Sequence, residues 1–94
     1  MQRKQFEKAL EVYEKAVKYD PAFSDAWMNL GSTLGTLGRG NEAINAFKKC
    51  VEFNPQNALA TYYIGLTYKG IGDEINAKFY FDKAAEMDPK FKQQ

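Results

Sequence analysis

Residues 24–57 read SDAWMNLGSTLGTLGRGNEAINAFKKCVEFNPQN, and residues 58–91 read ALATYYIGLTYKGIGDEINAKFYFDKAAEMDPKF. Laid over one another without a gap, they agree at nine positions, among them Ala26/Ala60, Gly31/Gly65, Gly38/Gly72, Ala43/Ala77, Phe47/Phe81 and Pro55/Pro89. The dipeptides Asp20-Pro21, Asn54-Pro55 and Asp88-Pro89 keep the same 34-residue spacing through the chain of 94. Ala9, Tyr13 and Ala16 stand in the columns of Ala43, Phe47 and Cys50, so the segment before Pro21 matches the second half of the unit. A fixed period of this length marks an array of one supersecondary unit that buries its apolar face against its neighbours.

Within each unit the spacing is helical. Trp27, Leu30, Gly31 and Leu34 fall at i, i+3, i+4 and i+7, one stripe of a helix. Gly31 in that stripe weakens the helix, which is the expected cost of letting a neighbouring helix approach closely. Gly38 and Gly40 interrupt the pattern, and Glu42 to Phe53 resumes it with Ala43, Phe47, Cys50 and Val51 inward. Ser24 and Asp25 are candidate N-caps, and Pro55 stops the second helix. The next unit runs likewise: Thr61, Ile64, Gly65 and Tyr68, then Gly72-Asp73, then Ala77, Phe81 and Ala84, then Pro89.

This pattern resembles the tetratricopeptide repeat (TPR) on Trp27, Leu30-Gly31, Ala43, Phe47 and Pro55, and on Ile64-Gly65, Tyr68, Ala77, Phe81, Ala84 and Pro89. The resemblance covers almost the whole chain. It implies an all-α fold in which antiparallel helix-turn-helix repeats stack as a short right-handed solenoid. The array divides into a trailing half repeat over 5–20, full repeats over 24–57 and 58–91, and a tail over 92–94. Leu34 stands for the family's Tyr, Thr61 for its Trp, and Gly40 occupies the column of Phe6; a looser fit is expected around Gly40 and Thr61.

Composition removes several functional classes. Thirteen basic and twelve acidic residues leave a net charge of +1, without the basic face that neutralising phosphates requires, so nucleic acid is not an expected partner. No apolar run is long enough to span a membrane and no signal pattern opens the chain; cytoplasm is the default compartment. Histidine is absent, which removes the commonest general base and the commonest metal ligand. Gly35-Thr36-Leu37-Gly38-Arg39-Gly40 joins two helices and follows no strand, unlike a phosphate-binding loop. The single Cys50 shares a column with Ala16 and Ala84 and reads as a small core residue. No catalytic constellation, metal site or cofactor is expected, and the chain reads as no enzyme.

In proteins of the resembled family, the first helix of each repeat lines a concave groove. On the first such helix here, the side opposite Trp27, Leu30 and Leu34 carries Asp25, Asn29, Ser32 and Thr36, with Met28 at the margin. An Asn at the place of Asn29 commonly holds a peptide backbone in that family, since its amide both donates and accepts. On the second such helix, Leu59, Tyr63 and Leu66 occupy the outward columns, with Tyr62 and Lys69 beside them, while Ile64, Tyr68 and Ile71 face inward. A helix apolar nearly all round is normally covered on both sides. Leu59 and Tyr63 stand where the later Lys and Arg of the family's grip on acidic chaperone tails would stand. An apolar or aromatic protein segment is therefore the expected partner.

The ends suggest an alternative. Residues 5–18 form an amphipathic helix with one flank lacking a neighbour, the last helix carries Phe79, Tyr80 and Phe81 in succession, and Phe91-Lys92-Gln93-Gln94 opens a further helical turn. The chain reads either as part of a longer array or as one whose open ends associate with another copy, by end-to-end stacking or helix exchange about Gly35–Gly40.

Overall fold

The computed structural model describes residues 3–92, so positions 93 and 94 of the expected terminal turn lie outside it. Five α-helices follow one another: α1 (Arg3–Tyr19), α2 (Ser24–Thr36), α3 (Gly40–Phe53), α4 (Ala58–Gly70) and α5 (Glu74–Met87), then a 3₁₀ turn over Pro89–Phe91. No strand occurs among the described residues. Each helix packs on its successor, so the chain is a row of antiparallel hairpins stacked side by side.

Both tight hairpin turns have one construction. Gly38 and Gly72 adopt φ of 80° and 87°, the left-handed region open to glycine. The N–H of Gly38 donates to Gly35 O at 3.1 Å and that of Arg39 to Leu34 O at 2.9 Å; Gly72 and Asp73 repeat this on Lys69 O and Tyr68 O. This pair of reversed bonds satisfies the last carbonyls of α2 and α4 and points the chain directly into the following helix. The longer turns close on Asp20, Asn54 and Asp88, each of which donates its backbone N–H to a carbonyl four residues back.

The core is made where aromatic knobs meet glycine. A Cβ at Gly31 would stand 2.6 to 2.9 Å from three carbons of the Phe47 ring, and one at Gly65 would stand 2.7 Å from Phe81. Phe47 and Phe81 are buried by this contact, together with Ala43, Cys50, Ala77 and Ala84. In α1 the same columns, Ala9, Tyr13 and Ala16, are only half-buried, because among the described residues no helix covers that flank. The run Phe79-Tyr80-Phe81 divides as its spacing requires: Phe81 is buried, Tyr80 half-buried and Phe79 57% exposed.

Four local expectations are corrected. Neither Ser24 nor Asp25 caps α2; the cap position is Phe23, without a side-chain hydrogen bond. Gly40 opens α3 instead of ending a loop, and a Cβ there would meet Ile71 Cγ2 at 2.8 Å, so the contact is tight. Thr61 is also closely packed, at 1% exposure, with its hydroxyl donating to Asn57 O at 3.2 Å. Ile71 does not face inward: it lies over Gly40 and remains 47% exposed.

Candidate functional site

Stacking by the second helix of each hairpin leaves the first helices, α2 and α4, apart on one face. Between them lies an open groove of about 500 Å³ lined by Gly31, Ser32, Gly35 and Thr36 of α2, Gly38, Gly40 and Phe47 below, and Tyr63, Leu66, Thr67, Gly70 and Ile71 toward α4. Its width comes from glycine, since five of the chain's seven glycines are in the lining. Its floor is aromatic: the Tyr63 and Phe47 rings stand 5.6 Å apart.

The groove is less polar than its residue types indicate. Thr36 Oγ1 donates to Ser32 O at 3.0 Å, and Thr67 Oγ1 donates to Tyr63 O at 2.8 Å. Both hydroxyls are thereby turned to their own helix backbone, and Thr67 Cγ2 faces Gly40. No charged residue is in the lining; outside it, at the hairpin turn, Arg39 donates from Nε and a terminal nitrogen to the two carboxylate oxygens of Glu42 at 2.9 and 2.6 Å. That contact holds the Glu42 carboxyl below its ordinary range.

The sequence-predicted residues separate in space. Ser32, Thr36, Tyr63 and Leu66 come together in the groove lining. Asp25 and Asn29 are exposed on α2, and no side-chain partner holds the Asn29 amide among the described residues, while Met28 packs on the core. Leu59 and Lys69 are exposed on α4 outside the lining. Tyr62 turns its ring the other way, to Phe81 at 5.4 Å and to Phe91 at 5.0 Å. Cover for Tyr62 and Tyr63 thus comes largely from the chain itself, whereas Leu59 and Leu66 stay 41% and 40% exposed. Ile71, Gly40 and Gly70 escaped the sequence reading. Helical spacing put Ile71 on the inward stripe with Ile64 and Tyr68, at i, i+4 and i+7.

Among the described residues no cluster of His, Cys, Asp and Glu could hold a metal ion, and no helix is long and apolar enough to cross a membrane.

A family model described as Tetratricopeptide repeat matches residues 24–57 and 61–91, and one described as TPR repeat matches residues 1–38. No curated protein matches the sequence. Among solved structures, one of MamA superposes with a TM-score of 0.87 at 30% identity, covering 92% of this chain and 50% of that one. MamA MSR-1 gives 0.87 at 28% identity, covering 92% and 49%. YrrB, described as a TPR protein with an unusual peptide-binding site, gives 0.87 at 29% identity, covering 92% and 44%. The chain therefore spans about half the length of these relatives.

Proposed function

The chain belongs to the tetratricopeptide repeat family, and from that premise we propose that it is a non-catalytic interaction domain holding a polypeptide segment in the groove between α2 and α4. One observation carries the reading: an open groove of about 500 Å³ combines an aromatic floor at Tyr63 and Phe47 with the half-exposed side chains Leu66 and Ile71. Apolar or aromatic side chains of the segment seat on Leu66, Ile71 and Tyr63, and the glycines let its backbone approach closely. Asn29, exposed on α2 one turn before Ser32 with its amide unengaged, holds the segment's backbone. The relative named for a peptide-binding site supports this class of ligand.

Selection of phage-displayed peptides against the chain tests the proposal. Peptides rich in Leu, Phe or Trp are expected, and Leu66→Asp and Ile71→Asp should each weaken them about tenfold or more without loss of helicity. Unchanged affinity for both variants would remove the groove as the site.

A second reading, self-association, is favoured by the exposed apolar residues of α5, Ile75 at 86% and Phe79 at 57%, and by Val12 of α1 at 61%. Sedimentation equilibrium decides it, since a monomer throughout the micromolar range excludes assembly as the main role.

A further inference from the structure

Five of the chain's seven glycines have a reason inside the fold. Gly31 and Gly65 make room for Phe47 and Phe81, Gly40 makes room for Ile71, and Gly38 and Gly72 take positive φ. Gly35 and Gly70 have no such reason. Neither has a positive φ; a Cβ at Gly70 would meet nothing within 4 Å, and one at Gly35 only Ala43 Cβ at 4.0 Å. Nor does the repeat call for glycine there, since the matching columns hold Thr36 and Lys69. Both glycines belong to helices, which they weaken, and both line the groove, Gly35 on the α2 wall and Gly70 on the α4 wall. The walls are thus kept bare at two points, as close approach of a guest backbone requires.

Hydrogen bonding decides the form of that backbone. The walls are helices whose N–H and C=O groups are taken by their own turns, and the hydroxyls of Thr36 and Thr67 donate to carbonyls of their own helices. Along the walls a guest is offered chiefly the hydroxyls of Ser32 and Tyr63. An extended segment pressed against Gly35 and Gly70 leaves N–H and C=O groups without partners, whereas a helix pairs its own and leaves only its ends open. We propose, on the reading of the groove as the binding site, that the segment held there is an α-helix, selected by Gly35 and Gly70 through close contact with its backbone.

Charge specifies the surface of that helix. The lining is uncharged. Asp25, the one charged side chain of α2, is exposed in the stripe of Ser32 and Thr36 and makes no ion pair or hydrogen bond among the described residues. The guest helix therefore turns an uncharged face to the groove, with Ala, Ser or Gly opposite the two glycines and a Lys or Arg at the end that meets Asp25. Asn29, one turn along from Asp25, meets the backbone groups that the helix leaves open at the same end.

Helix α2 has 13 residues, ~20 Å of wall, so helical peptides of about 14 residues match the groove in length. Synthetic libraries varying Ala, Ser, Leu and Phe along one face, with Lys at both ends, are screened by fluorescence anisotropy in two forms. One form is held helical by lactam bridges between residues i and i+4; the other is linear with a central proline. The bridged form should yield binders and the proline form none. Gly35→Ala and Gly70→Ala should each weaken those binders about tenfold or more, even though Gly35→Ala raises the melting temperature. Weaker binding by a more stable chain separates contact with the guest from a role in folding. Asp25→Asn should weaken a Lys-ended binder about twofold more than its Gln-ended counterpart. Proline-containing binders that lose affinity with Leu66→Asp would overturn the helix and leave the groove as the site. Binders indifferent to Leu66→Asp, or none in either form, would overturn both. Unchanged affinity in the two glycine variants would overturn the selection by Gly35 and Gly70.

Discussion

Two glycines one helical turn apart in α2 should respond to alanine with opposite signs. At Gly31 the added methyl would lie 2.6, 2.7 and 2.9 Å from ring carbons of Phe47, a side chain 3% exposed that cannot swing into solvent. Overpacking of this kind costs about 1–3 kcal/mol. Replacing glycine by alanine inside a helix returns about 1 kcal/mol. The packing penalty wins, leaving a net loss of about 1 kcal/mol, or ~4–8 °C in melting temperature for a domain of this size. At Gly35 the nearest atom to an added methyl is Ala43 Cβ at 4.0 Å, an ordinary contact. Only the propensity gain remains there, so Gly35→Ala should stabilise by about 0.5–1 kcal/mol. Thermal unfolding by circular dichroism measures both. A cycle with Phe47→Leu adds a second check, because relief of the clash should make Gly31→Ala less costly in that background. If Gly31→Ala raises the melting temperature as far as Gly35→Ala does, the knob-and-glycine account of the core is wrong.

Asn57 caps α4 by accepting from the Ala60 N–H at 2.9 Å, so Asn57→Ala should cost about 1 kcal/mol in urea unfolding, whereas Ser24→Ala should fall within about 0.5 kcal/mol of the parent. The Asp73 carboxyl is held below its ordinary range, first by the Asn76 side-chain amide and then by the Asn76 backbone N–H. A carboxyl lowered in the folded state stabilises above the unfolded value of about 4 and loses that effect as pH falls through the folded value. Asp73→Asn should therefore flatten the acid limb of stability against pH, with little change near neutrality; an unchanged limb in thermal melts would count against it. Burial pushes the Cys50 thiol up, so a disulfide reagent should leave it intact in the native chain and react promptly in denaturant. Prompt native reaction would mean that α3 opens readily from α2.

The period, the hairpins and the residues at their contacts were legible in the sequence because they depend on short-range geometry. The 34-residue spacing of Pro21, Pro55 and Pro89 marks the helix ends, and the pairing of Gly31 with Phe47 and Gly65 with Phe81 marks where helices meet. A third of the groove lining was legible as well, since Ser32, Thr36, Tyr63 and Leu66 follow from helical phase once the family resemblance sets the first helix of each repeat along a groove. Helical phase fails at side chains on the flanks. Tyr62 and Tyr63 differ by about 100° around α4, and only the placement of α3 and α5 sends one to Phe47 and the other to Phe81 and Phe91. Ile71 shares a column with the buried Leu37, yet it rests on Gly40 in the groove and stays half-exposed. The outer cleft over Trp27, Leu30 and Leu34 likewise appears only when α1 and α3 are both in place. Which residues repeat is a property of one chain segment at a time. Which of them remain uncovered depends on volumes contributed by helices distant in sequence, and packing alone decides that.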